Sequence, residues 1–117
     1  MNHKELLKGN TESMLLALLV SGPMYGYQLV REIERRSCGY FQFKEGTLYP
    51  ALHRLEQSSM IRGVWLTSGS GQQRRYYAIT ERGHRALESK ADEWRLFSQA
   101  VDQVMAPSPV SGASAES

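Results

Sequence analysis

The segment from Glu45 to Glu56, EGTLYPALHRLE, combines residue types that can read the edges of DNA bases. Arg and Gln can each form two hydrogen bonds with a base, and Thr can contact a base or a phosphate. At about 100° per residue, a helix would separate the apolar residues from these polar ones. The apolar stripe comprises Leu48, Leu52, Leu55 and Ser59, and the opposite side comprises Thr47, Pro50, Arg54 and Gln57. Taken alone, the segment suits an ordinary amphipathic helix with a solvated outer face equally well.

Composition limits the classes of protein that this chain can be. Its 117 residues suit one domain with a modest core, and the longest apolar run is Met14–Val20. A membrane span needs roughly 18 apolar residues. The single cysteine, Cys38, excludes an internal disulfide, and the opening MNHKELLKGN lacks the apolar stretch of a signal peptide, which predicts a cytoplasmic location.

Charge is distributed unevenly along the chain. The first 80 residues carry ten Lys or Arg against six acids, whereas the remainder carries four against six. A basic N-terminal part and a slightly acidic C-terminal part suit a protein that binds a polyanion through one part only.

Two helices are predicted before the opening segment. The first, Thr11–Val20, has apolar residues at helical spacing and is ended by a Ser-Gly-Pro sequence. The second extends over about Tyr25–Arg36, and a turn over about Ser37–Lys44 follows it. The residues expected on the buried side of the second helix are Tyr25, Leu29, Val30 and Ile33.

The third helix contains the opening segment, and its proline limits where it can begin. Pro50 has no amide hydrogen to donate, so it should lie within about the first turn. This places the helix start near Glu45 to Thr47.

Two strand-like runs follow, Gly63–Leu66 and Arg75–Ile79, both rich in β-branched and aromatic residues. The small polar residues of Thr67–Gln73 lie between them. The pattern predicts a β-hairpin with a flexible tip.

The second strand of the hairpin is preceded and opened by two basic residues. Arg74 and Arg75 are expected to contact phosphates, which fixes position and not sequence, although one of them could instead support the hairpin by pairing with an acid. Tyr77 shares a strand face with Ile79 and is predicted to be core. Trp65 is also expected to pack.

A long last helix is predicted from Thr80, the expected N-cap, to about Met105. Its apolar residues recur in alternating steps of four and three, as in a coiled coil. These seam residues are Leu87, Ala91, Trp94, Ser98, Val101 and Met105. So long a seam has little of its own domain to pack against, which favours a dimerisation helix. The alternative is packing on the first helix of the same subunit.

The order of elements is that of a winged helix-turn-helix: three helices, a hairpin and a long helix. The fold class is mainly α with a small β-hairpin. We expect a DNA-binding domain over 1–80, a dimerisation helix over 81–105 and a disordered tail over 106–117. The alternative is an unrelated small α+β domain.

Three stretches resemble the PadR family of bacterial transcription regulators. They are GPMYGYQL at Gly22–Leu29, EGTLYPALHRLE at Glu45–Glu56 and RRYYAITERG at Arg74–Gly83. The resemblance covers about residues 11–85, and the single last helix is similar to the compact branch of the family. It implies a homodimeric, ligand-responsive repressor that places its third helix in the major groove of double-stranded DNA.

The resemblance also implies where a ligand would bind. Some compact members hold flat aromatic or cationic drugs at the dimer centre, between a tryptophan from each last helix, and Trp94 is at the matching place. Because the first and last helices are implied to form the dimer, Met14 is assigned to this interface with the seam residues. Trp94 could equally serve packing alone.

The residues predicted to contact DNA belong to the third helix and the hairpin base. They are Lys44, Thr47, Tyr49, Pro50, His53, Arg54, Gln57, Arg74 and Arg75. The alternative function is a winged-helix module that binds protein instead of DNA.

Catalysis and metal binding have little support in the sequence. His3, His53 and His84 show no metal-ligand spacing, and no phosphate loop or nucleophile elbow is present. The chain is therefore predicted to be no enzyme and to need no cofactor.

Overall fold

The computed structural model describes residues 10–107, and its elements follow the predicted order. The described part contains four helices and three strands. They are α1 (Thr11–Leu19), β1 (Met24–Tyr25), α2 (Gly26–Arg36), α3 (Glu45–Gln57), β2 (Ile61–Thr67), β3 (Gln73–Ile79) and α4 (Glu81–Met105). The predicted tail lies outside the described residues, apart from Ala106 and Pro107.

The core lies where α1, α2 and α3 meet against the sheet. The buried apolar residues of the helices are Leu15, Leu16, Leu18, Leu19, Leu29, Val30, Ile33, Leu48, Ala51, Leu52 and Leu55. Ile61 and Tyr77 complete it from the two long strands. Each fully buried Leu contributes about 1.5–3 kcal/mol to folding. The predicted apolar stripes of α2 and α3 and the core position of Tyr77 are thereby confirmed, with two exceptions.

Tyr25 is the first exception, because it lies in a strand and not in a helix. The short strand β1 pairs antiparallel with β3, which places Met24 opposite Tyr77 and Tyr25 opposite Tyr76. The Tyr25 and Tyr76 rings meet edge to face at 5.2 Å between centroids. The sheet order is therefore β1-β3-β2, and the prediction that Tyr25 is a buried helical residue is wrong.

Ser59 is the second exception. The α3 helix ends at Gln57, and Ser59 is exposed with a left-handed φ of 61°. The Met60 amide donates to the Leu55 carbonyl at 2.9 Å, and the Ser59 amide donates to the Glu56 carbonyl at 3.0 Å. These two bonds form a Schellman motif, which reverses the chain toward β2. Ser59 therefore serves the helix end and not the apolar stripe.

Pro50 also differs from expectation. The α3 helix begins at Glu45, within the predicted range, but Pro50 is its sixth residue and lies beyond the first turn. The Gly46 carbonyl receives no intrahelical bond from residue 50, because proline has no amide hydrogen.

The last helix is joined directly to the hairpin. Thr80 caps α4 as predicted: its hydroxyl oxygen accepts from the Gly83 amide at 3.1 Å and donates to the Ser59 carbonyl at 2.6 Å. A Cβ on Gly83 would come within 2.1 Å of the Met60 carbonyl oxygen. The start of α4 thus lies in close contact with the end of the α3–β2 turn. Among the helices of residues 10–107, none combines the length and the hydropathy of a membrane span.

Candidate nucleic-acid interface

The outward face of α3 is the surface that the sequence singled out. Ala51 is 3% exposed and widens the buried stripe of the helix to one side. At about 100° per residue, the direction opposite the core then passes through Pro50, His53 and Gln57, all of them exposed. Arg54 lies at the edge of this face, nearer to α1. The structure therefore centres the face on His53, which the sequence placed on its flank.

Arg54 is held by the first helix. Its Nε donates to Glu12 Oε2 at 2.6 Å, while 59% of the Arg54 side chain remains exposed. Thr47 lies along the same edge of α3 and is exposed. The preferred candidate for base contact is thus already oriented by a carboxylate that sequence reasoning did not single out.

Arg75 is held by α3 on the opposite edge. Its guanidinium donates to Glu56 Oε2, which also accepts from the Gly63 amide at 3.2 Å. The same guanidinium lies 5.9 Å from the Trp65 ring centroid and 5.8 Å from that of Tyr77. Arg75 is therefore the arginine that supports the hairpin through an acid pair.

Arg74 points to the other side of β3. Its guanidinium lies 4.5 Å from the Tyr25 ring centroid, and its Nη2 donates to Gln72 Oε1 at 3.2 Å. Lys44 is the exposed N-cap residue of α3. Both cations are placed where a phosphate could approach them from solvent.

A cleft of about 660 Å³ separates the start of α3 from the hairpin. Its lining includes Tyr25, Tyr27, Glu45, Tyr49, Trp65 and Arg74. The Tyr49 hydroxyl donates to Glu45 Oε2 at 2.9 Å, and this bond raises the pKa of Tyr49. Burial raises the pKa of Tyr77 on the cleft floor.

Trp65 lies at the mouth of this cleft. It is 62% exposed, so its expected packing is against the Arg75 guanidinium at the surface and not in the core. The physical reason is that its strand neighbour across the hairpin is Arg75, whose guanidinium takes one face of the indole.

A second cleft, of about 480 Å³, lies between α1 and α4 and is mostly apolar. Four of the predicted interface residues line it: Met14, Leu87, Ala91 and Trp94. The remaining seam residues, Ser98, Val101 and Met105, lie further along α4 and outside this cleft. Trp94 is 53% exposed, and its ring lies 6.0 Å from that of Phe97.

The far half of α4 exposes more apolar surface than the predicted seam contains. In addition to Met105 of the seam, the exposed large apolar residues of this half are Leu96, Phe97 and Val104. Phe97 and Val104 widen the seam on one side, and Leu96 faces away from it. The seam pattern missed them because they lie off its steps of four and three.

The fold and this arrangement of side chains define a winged-helix protein with a long C-terminal helix. Residues 15–89 match the family model described as the transcriptional regulator PadR-like family. The chain belongs to this family and is a DNA-binding transcription regulator, not an enzyme. The predicted fold class and the resemblance are both confirmed.

The chain is also similar to individual proteins of known sequence or structure. An uncharacterised protein of Lysinibacillus sphaericus, protein X, is 32% identical over 105 residues, which cover 90% of this chain and 96% of that protein. A PadR-like transcriptional regulator of Bacillus cereus has a TM-score of 0.79 at 29% identity, covering 89% of this chain and 99% of its own. A transcriptional regulator of Clostridium thermocellum has a TM-score of 0.78 at 29% identity, covering 86% and 98%.

Proposed function

We propose that this regulator is a homodimeric repressor of a palindromic operator, released by a small aromatic ligand at the dimer interface. The observation that carries the proposal is the exposed outer face of α3, which Glu12 flanks on one edge and the hairpin on the other. A helix presented in this way is free to enter a major groove about 12 Å wide.

The predicted contact residues divide into two groups by position. Pro50, His53 and Gln57 face outward, with Thr47 and Arg54 beside them. We assign this group to the floor of the groove, where Arg and Gln can discriminate between bases.

In the second group, Tyr49 and Arg74 line the cleft beside the hairpin, and Lys44 directly precedes Glu45 of its lining. We assign Lys44, Tyr49 and Arg74 to phosphate oxygens, which sets the position of the helix without reading sequence. Arg75 has the supporting role of fixing the hairpin, because Glu56 and two rings already surround its guanidinium.

The last helix supports the dimer. Exposed Phe97, Val104 and Met105 lie on or beside the predicted seam, outside the apolar cleft between α1 and α4. Apolar surface of this extent is favourably covered by a second copy of the same helix. Two α3 helices on one side of such a dimer would read half-sites roughly 34 Å apart.

The apolar cleft between α1 and α4 supports a ligand site. A planar aromatic molecule could stack on the exposed Trp94 ring and cover Met14 and Leu87. To release DNA, the ligand must bind with different affinity to dimers with different spacings of their α3 helices.

The deciding experiment is selection of bound duplexes from a random pool, followed by affinity measurements over a range of salt. We expect a palindromic site, and a linear fall of log K with log salt, at about −0.9 per phosphate neutralised. Equal, weak binding to every duplex without salt dependence would contradict the proposal and would favour a winged-helix module that binds protein.

A further inference from the structure

We infer that Glu12 is a positioning residue for base recognition, because it holds the guanidinium of Arg54 in the orientation that reads guanine. The inference rests on the proposed function and extends it to a residue outside α3. Glu12 lies in the first turn of α1, an element that contains no residue predicted to contact DNA.

The geometry of the pair leaves the base-reading atoms of Arg54 available. Glu12 engages Nε, and no other hydrogen bond from the guanidinium occurs within residues 10–107. A guanidinium has five N–H donors in a rigid plane, so the four on Nη1 and Nη2 remain. Guanine needs two of them, for O6 and N7.

Glu12 is itself well fixed. It precedes the fully buried Leu15 and Leu16 by about one turn, and its own side chain is only 30% exposed. A carboxylate anchored on a core helix can therefore restrict the rotamers of an exposed arginine on another helix. An arginine restricted before binding loses less conformational freedom when it meets a base.

The placement of this pair distinguishes it from ordinary surface pairs. Within the described residues, the pairs of Glu32 and of Asp92 join neighbours one turn apart on the same helix. Among the ion pairs of residues 10–107, Glu12–Arg54 and Glu56–Arg75 alone join different elements, and both end on α3. Each edge of the DNA-facing helix is therefore tied to a neighbouring element.

The test uses the full chain and the operator obtained by selection, with every base position substituted in turn. We expect Arg54→Ala to abolish the preference for guanine at one position in each half-site. Glu12→Ala should reduce that same preference by about 3- to 10-fold. The double variant should be no worse than Arg54→Ala alone, since Glu12 acts through Arg54.

Two further variants separate positioning from charge. Glu12→Gln keeps an acceptor oxygen, so it should restore part of the preference that Glu12→Ala loses. Glu88→Ala removes the same charge from an exposed position on α4 and should leave the preference unchanged. Thermal unfolding of each variant checks that the fold is intact.

Several results would overturn the inference. If Glu12→Ala and Glu12→Gln both raise affinity for all duplexes equally, Glu12 only repels DNA. If Glu12→Ala strengthens the guanine preference, Glu12 competes with DNA for Arg54. If Glu12→Ala leaves unchanged a preference that Arg54→Ala abolishes, Glu12 has no positioning role and the proposed function stands. Absence of any sequence preference in the unmodified protein would instead defeat the proposed function itself.

Discussion

Arg75 of the hairpin is paired with Glu56 of α3, so the wing is attached to the helix that is proposed to read DNA. Gly63 takes part in this attachment in two ways. Its amide donates to the same carboxylate, and a Cβ at this position would overlap the Arg75 guanidinium. The glycine therefore leaves the space that the arginine occupies.

Glu56→Ala is expected to lower the free energy of unfolding by about 1 kcal/mol, because it leaves the Gly63 amide and the Arg75 guanidinium without their shared acceptor. The value is modest because the pair is partly exposed. Urea denaturation measures it, with Glu88→Ala as the control. Unchanged stability together with unchanged hydrogen exchange at the Gly63 amide would show that the pair does not form in solution.

Gly83→Ala is expected to destabilise the protein by about 1–3 kcal/mol, since the new methyl group would overlap the Met60 carbonyl. The higher helix propensity of alanine offsets part of this loss, by up to about 1 kcal/mol. Gly46→Ala is the matched control: it is also helical, but the space around it is open, so it should stabilise. Thermal denaturation of both variants compares them. Equal effects would contradict the close packing at Gly83.

The pKa of Glu32 is lowered from 4.5 to about 2 by hydrogen bonds from Arg35 and Arg36. Because the folded-state pKa is depressed, the pair stabilises the protein above pH 4.5 and this contribution is lost as the pH falls toward 2. Glu32→Gln should therefore lose less stability on acidification over that range. Carboxyl chemical shifts measure the pKa, and a Glu32 midpoint near 4.5 would contradict the prediction.

Val101→Glu is expected to convert the proposed dimer into a monomer, because it places a charge in the seam of α4. Gln99→Glu adds the same charge on the opposite, exposed side of the helix and should leave the dimer intact. Sedimentation equilibrium distinguishes the two states. If the unmodified protein is a monomer, or if both substitutions have equal effects, the prediction that this seam forms the dimer is refuted.

Trp94 fluorescence is expected to be quenched by planar aromatic ligands in a Trp65→Phe background, since stacking on an exposed indole brings the two rings together. The converse variant, Trp94→Phe with Trp65 retained, should respond much less. The same ligands should weaken operator binding. If a broad panel of such ligands leaves the fluorescence unchanged, Trp94 serves packing and not sensing.

The helices of this fold were predictable because their signals are local. Leu29, Val30 and Ile33 recur at helical spacing, and Thr80 supplies the cap oxygen that its own helix needs. Such signals depend only on neighbours within about one turn, and one sequence contains them in full. The wing strands were found for the same reason, although each extends further than its aromatic residues indicated.

The remaining features depend on partners far apart in the chain. Tyr25 was assigned to a helix because no local sequence pattern indicates a two-residue strand that pairs with β3. Arg54 and Glu12 are separated by 42 positions, and no pattern pairs them before the fold is known. The outer face of α3 was therefore predictable, whereas the residues that orient it were not. The DNA contacts assigned to that face remain predictions.

The close contact of Gly83 with Met60 has a mechanical consequence. Since α4 starts immediately after β3 and is pressed against the turn below it, no hinge separates the long helix from the wing. At about 1.5 Å per residue, the 25 residues of α4 form a lever about 37 Å long. In the proposed dimer, a small rotation where the two α4 helices cross would therefore move each wing together with its helix. A ligand bound at that crossing could then change the affinity for DNA without deforming either domain.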